Sequence, residues 1–273
     1  CYRFFLLQVI FMDEKKGSNN NSRTKKVFTV LAIILIAVGI GITLFQILST
    51  QNAKQKDENL TSATITSQTV SEKKVENKID FDSLQKQNDE IYAWIKVPGT
   101  KVNYPVVQSE TSDDFYLKHS ATDKSYSSSG AVYTQSLNKK DFTDRVTLIY
   151  GHNGYGDTYF TTLHRFEKPD FFEKHTKFVI YTPTEKLTYK IVSAFKYDDR
   201  HILNSFDFHN DEVYKEFIDM IQNPTSTNKN VAKSLDKEIT IEDNIVVLST
   251  CFTGQKTNRY LVCGVLIKDE KTY

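Results

Sequence analysis

Apolar and polar positions fall into blocks along this chain. Residues 27–48 are uncharged and almost wholly apolar, a run of about twenty residues that as a helix would cross a ~30 Å hydrocarbon core. Residues 49–78 are rich in Ser, Thr, Gln, Asn, Lys and Glu and poor in aromatics, so they cannot bury enough apolar surface to offset the entropy of ordering. That block reads as a flexible linker. From residue 79 aromatics become frequent and apolar periodicity begins, which predicts one folded domain over 79–273.

Inside that domain short aliphatic and β-branched runs recur at 92–97, 102–107, 131–134, 145–150, 177–181, 186–195, 245–248 and 260–267. Turn signals separate them, among them Pro98-Gly99 and a hairpin about Pro183. Eight strands with little alternating helix predict a mainly β fold, a barrel or sandwich, and disfavour a parallel α/β sheet. Asp80 or Asp82 is placed to cap a short N-terminal helix carrying Phe81 and Leu84. Between the sixth and seventh strands lies a long insertion, where Asn210 caps a helix with Val213, Phe217 and Ile221 at i, i+4, i+8 and Pro224 beyond its end. A helix-bearing loop just before the seventh strand is a natural wall for a groove.

Residues 1–11 precede Met12 and are set aside as an upstream extension. Lys15, Lys16, Arg23, Lys25 and Lys26 stand just before the apolar block. The positive-inside rule then makes 1–26 a cytoplasmic segment, 27–48 a transmembrane anchor and everything after it extracellular, a single-pass protein of the cell membrane. A cleaved signal peptide is the competing reading; the apolar run is longer than a signal core, and no small-x-small site follows it.

Charge narrows the partners little. Lys and Arg number 35 against 34 Asp and Glu, a formal net charge of +1, and no basic stripe with interleaved aromatics points to nucleic acid. Cys1, Cys251 and Cys263 are too few for a disulfide scaffold. No Cys/His spacing suggests a zinc site, and no metal or cofactor is expected. If the last two strands pair antiparallel, Cys263 falls opposite residue 247, ~13 Å from Cys251 at ~3.3 Å per residue, beyond the ~7 Å a disulfide spans. Two free thiols are expected, Cys263 as a small core residue.

The same pairing sets Cys251, at the end of one strand, facing Arg259, at the start of the next. A nucleophilic thiol needs a base or cation to lower its pKa, and six histidines are available. His152 stands at a loop mouth, just after the apolar strand and Gly151. His164 is its rival, on a short helix before Pro169, while His119, His175, His201 and His209 read as surface residues. Arg259 offers a fixed donor fork for an oxyanion. Ser249 and Thr250 are weaker candidates for lining the site. Each residue also has an ordinary reading: a buried thiol, a strand-edge charge, strand-end hydrogen bonding.

The motif Leu248-Ser249-Thr250-Cys251, Arg259 beyond it and Tyr150-Gly151-His152 well upstream resemble a sortase. Residues 91–100 (IYAWIKVPGT), 104–108 (YPVVQ) and 115–117 (FYL) are similar to the N-terminal part of class B sortases, and the helix at about 211–222 matches the insertion that class carries between strands six and seven. Val247 stands where many members have threonine. The resemblance implies an eight-stranded sortase-like β-barrel with an N-terminal helix or helices. It also implies a cysteine transpeptidase in which Cys251 attacks the threonine carbonyl of a C-terminal sorting pentapeptide, His152 is acid and base, and Arg259 binds the substrate backbone or oxyanion. Its partners would be surface proteins with that sorting motif and a peptidoglycan precursor amine, with the membrane reached through the N-terminal helix. The alternatives are a cysteine peptidase acting on wall peptides, disfavoured in its papain-like form because His152 precedes Cys251, and a non-catalytic membrane-tethered binding domain.

Overall fold

The computed structural model describes residues 74–273 apart from Tyr155 and Asp236. These belong to one of two units into which the chain divides, Glu72–Tyr273. Its strands are β1 (Ile91–Lys96), β2 (Asn103–Val107), β3 (Val132–Tyr133), β4 (Val146–Tyr150), β5 (Lys177–Tyr181), β6 (Glu185–Asp198), β7 (Lys229–Val231), β8 (Ile245–Phe252) and β9 (Gln255–Lys271). They hydrogen-bond in the order β5-β1-β2-β3-β4-β8-β9-β6-β7, and β5 also pairs with β6. That last pairing closes eight strands into a barrel and leaves β7 outside on β6. The β2–β3 and β4–β8 pairs are parallel and the others antiparallel.

The expected mainly β, eight-stranded barrel is therefore what forms, with the helical insertion between its sixth and seventh barrel strands. The sequence pattern missed β7, which is short and half-polar. It also ended the cysteine strand too early: β8 runs on through Ser249, Thr250 and Cys251 to Phe252 because β9 pairs with it that far.

Period-2 alternation sorts the side chains into two apolar layers. Val246, Leu248, Tyr260 and Val262 join the barrel interior with Ile95, Ile180 and Tyr189. Their neighbours Ile245, Val247, Leu261 and Cys263 face outward, under the insertion helix. Leu163 and Phe166 of a 3-10 segment (Thr161–Glu167), with Phe160 at its N-cap, complete the interior cluster.

Among the described residues four α-helices decorate the barrel: α1 (Phe81–Gln87), α2 (Pro169–Lys174), α3 (Ile202–Ser205) and α4 (Asp211–Gln222). Asp80 caps α1 by accepting the Ser83 N–H at 3.0 Å, and Phe81 is its buried residue. Asn210 caps α4, its Oδ1 accepting from Glu212 N at 2.9 Å and Val213 N at 3.4 Å. The buried face of α4 is Tyr214, Phe217, Ile218 and Ile221. Phe217 and Ile221 lie on the expected stripe, whereas Val213 sits at its edge. Burial of each of these apolar side chains contributes roughly 1.5–3 kcal/mol, so α4 is held by packing on the sheet.

The expected membrane location is corrected. Among the described residues no helix is long and apolar enough to cross a membrane. The longest, α4, has 12 residues and measures ~18 Å at 1.5 Å per residue, short of a ~30 Å core. The segments assigned to cytoplasm, 27–48 anchor and most of the linker lie outside the described residues.

Candidate active site

Strand β8 lies between β4 and β9, buried on both faces from Ile245 to Thr250, and it emerges at the exposed Cys251. A strand covered on both faces reads as an unbroken apolar run, which is why IVVL precedes the polar end. On one side Tyr150 of β4 is level with Ser249, and the Gly151 N–H donates to the Ser249 carbonyl at 3.1 Å. On the other side Cys251 pairs with Arg259. Neighbouring strands stand ~4.8 Å apart. His152 leaves β4 two residues past the Tyr150–Ser249 pair, on the side of β8 opposite Arg259.

His152, Cys251 and Arg259 line one cleft of about 260 Å³, together with Leu117, Tyr150 and Ser249. The odd-numbered positions of β8 face outward, so Ser249 shares the face of Cys251. Thr250 also borders the cleft, but alternation turns its side chain toward the interior. Its hydroxyl is buried and finds no hydrogen-bond partner among the described residues.

The orientation of His152 is set by a backbone carbonyl of the FYL segment, a role that its side chains do not announce. Its Nε2 lies 2.8 Å from the Leu117 carbonyl. A carbonyl only accepts, so Nε2 carries the hydrogen and Nδ1 is left as the nitrogen able to exchange a proton. Leu117 ends a 3-10 turn (Phe115–Leu117) anchored by Tyr116. The Tyr116 hydroxyl donates to Glu90 and accepts from Asn88 Nδ2 at 2.8 Å, and its carbonyl accepts the Ala131 N–H at 2.9 Å. Burial would raise the Glu90 carboxyl, but the Tyr116 hydroxyl, the Glu110 N–H and Lys124 outweigh it and hold it below the usual glutamate value.

Gly151 lets the chain pass close to the Phe160 ring. A Cβ at this position would meet the ring of buried Phe160 at 2.5 Å. The Phe160 N–H in turn donates to the His152 carbonyl at 3.1 Å.

Arg259 is half-buried beside the stacked pair Tyr133 and Tyr150, whose ring centroids are 5.3 Å apart. Burial drives both phenols well above their ordinary value, and Asp114 adds to this while the Arg259 guanidinium opposes it. The Arg259 cation lines this cleft, where a developing negative charge would be stabilised.

The rival His164 is not placed as a second base. Its Nδ1 is 2.5 Å from Glu167 Oε1 and its Nε2 is 3.0 Å from the Cys251 carbonyl oxygen, so both nitrogens are engaged by oxygens. His201, expected on the surface, lines the cleft: Nε2 meets Gln135 Oε1 at 2.6 Å, and Nδ1 accepts the Asn204 N–H at 3.3 Å, capping α3. Its partner is far away in sequence, so no local pattern marks it.

Cys263 is fully buried, and burial pushes its thiol up to about 12. It pairs with Val247, as the strand arithmetic requires, and both described cysteines are free.

A family profile described as Sortase domain matches residues 95–267. Sortase B of Staphylococcus aureus is 29% identical over 250 residues, 90% of this chain and 99% of that protein. Among solved structures, sortase B of Clostridium perfringens superposes with a TM-score of 0.62 at 28% identity, covering 69% of this chain and 100% of that one. A Staphylococcus aureus sortase B–substrate complex superposes with a TM-score of 0.61 at 28% identity, covering 79% and 98%.

Proposed function

The chain belongs to the sortase family and is a sortase-type cysteine transpeptidase, and from that premise we propose that Cys251, His152 and Arg259 carry out acyl transfer from surface proteins to a cell-wall amine. The supporting observation is that Cys251 pairs with Arg259 across β8 and β9 while His152 follows the end of neighbouring β4, and that all three line one cleft. Residues 79–273 form the catalytic unit.

Nδ1 of His152 takes the proton of the Cys251 thiol, and the resulting thiolate attacks the carbonyl carbon of the threonine in a C-terminal sorting pentapeptide. A carbon–sulfur bond forms as the carbonyl π pair moves to oxygen, and the Arg259 guanidinium stabilises that oxyanion. When the oxyanion collapses, the carbon–nitrogen bond breaks and Nδ1 of His152 delivers a proton to the departing amine. A thioester remains on Cys251. The amine of a peptidoglycan precursor then attacks it, His152 takes back a proton, and the thiolate leaves. Holding Nε2 on the Leu117 carbonyl suits this exchange, because one nitrogen stays fixed while the other cycles. Ser249, on the same face as the thiol, lines the substrate path, and Thr250 borders it.

The test is to incubate the full chain with a library of candidate pentapeptides and a small amine. Cleavage after threonine with capture by the amine is expected, and mass spectrometry reads it. Capture by water alone would point to a hydrolase.

A further inference from the structure

We propose that His164 is a positioning residue for the nucleophile: backed by Glu167, it donates to the Cys251 carbonyl and fixes the peptide that follows the thiol. The inference rests on reading Cys251 as the nucleophile.

Cys251 is the last residue of β8 to keep the regular β8–β9 register. One step on, Phe252 pairs with Gln255, so residues 256–258 stand without a β8 partner. Such irregularities bend a strand and re-aim its side chains. At this break, side chains converge on the nucleophile's own carbonyl. Asn153 Nδ2 donates to it at 3.1 Å, and His164 Nε2 lies 3.0 Å from it. A carbonyl has two lone pairs and accommodates both donors.

The hydrogen assignment follows from the neighbours. Asn153 spends its two amide protons on the Cys251 carbonyl and on Thr253 Oγ1, 2.9 Å away. The 3.2 Å approach of Asn153 Nδ2 to His164 Nε2 is then a contact of two donors sharing one acceptor, and Nε2 carries its own hydrogen. Behind it, Nδ1 faces Glu167 Oε1 at 2.5 Å, and the other Glu167 oxygen accepts from Asn228 Nδ2 at 2.9 Å. The ring stacks on buried Tyr260 at 4.9 Å and meets Phe252 edge-on at 5.7 Å.

So the ring is held by aromatic packing on its faces and by oxygens at both nitrogens. A chain of contacts runs from Asn228 beside β7, through Glu167 and His164, to the peptide after the thiol. Fixing that peptide restricts the backbone of Cys251, and through it the direction of Sγ toward His152. A reacting atom misplaced by about 1 Å loses on the order of 10²-fold in rate.

Two variants of the full chain test this. His164→Leu keeps the bulk and removes the donor. His164→Gln places an amide N–H where Nε2 stands but cannot reproduce the Nδ1 contact with Glu167. Backbone hydrogen exchange over residues 250–254, read by mass spectrometry, should speed up about tenfold in the Leu variant, while exchange elsewhere and the Gln variant stay near wild type. With a sorting peptide that the wild type cleaves, kcat should fall at least about tenfold in the Leu variant with KM held within about twofold, and the Gln variant should recover most of it. Wild-type exchange and kcat in the Leu variant would overturn the proposal, as would a Gln variant as impaired as the Leu variant. Failure of the wild type to cut any sorting peptide would instead sink the catalytic reading, and the exchange comparison would still decide the role of His164.

Discussion

Cys251 and Arg259 are partners across the β8–β9 ladder, the last regular pair before the register shifts. Paired residues point to the same face, so thiol and guanidinium project together into the cleft by construction of the barrel. The two-strand junction that presents Cys251 at the cleft also places Arg259 beside it.

Replacing Arg259 tests that partnership. Arg259→Ala should lower kcat/KM for a sorting pentapeptide by about 10²–10³-fold, the usual loss on removing an oxyanion donor. Arg259→Lys should recover little, because an ammonium lacks the planar fork. Steady-state transfer kinetics decide it, and a Lys variant near wild type would show that charge alone suffices.

Gly151 is expected to be intolerant of any side chain. Its Cβ would fall 2.5 Å from the Phe160 ring, and relief of such overpacking costs about 1–3 kcal/mol. Gly151→Ala should lower the denaturant midpoint and also lower kcat, since His152 is the next residue. Unchanged unfolding would mean that Phe160 moves aside freely.

Glu90 links acid stability to the site. Its carboxyl lies below the ordinary glutamate value in the folded protein, despite burial, through Tyr116, Glu110 N–H and Lys124. A depressed carboxyl contributes stability in full above its unfolded pKa of about 4.3, and that contribution is lost as pH falls through the lower folded value. Glu90→Gln should cost about 1–3 kcal/mol at pH 7, the worth of hydrogen bonds to a charged group, and should flatten the acid end of the stability profile. Chemical denaturation between pH 3 and 7 measures it; parallel profiles for the two proteins would refute the link.

Much of this molecule is legible in its sequence because the informative signals are local. Runs such as 245–248 and 260–267 are strands by composition, and the short junction between them forces antiparallel pairing, so Cys251 facing Arg259 and Cys263 opposite Val247 both follow from counting. The face of α4 follows from Phe217 and Ile221, although Tyr214 and Ile218 complete it where Val213 was expected. What local pattern does not carry are contacts made only after closure. The Leu117 carbonyl under His152, His201 on Gln135 and His164 behind Cys251 join residues distant in the chain, with no periodicity to announce them. Strand β7 escaped because three half-polar residues at a sheet edge leave no apolar signature.

The most direct measurement is the intact mass of the full chain incubated with a cleavable sorting pentapeptide and no added amine, followed by peptide mapping. A thioester-linked acyl group on Cys251, discharged on adding an amine, absent in Cys251→Ala and not formed in His152→Ala, is the predicted result. Cleavage of the peptide by the Cys251→Ala variant, or an acyl group mapped to any other residue, would contradict it.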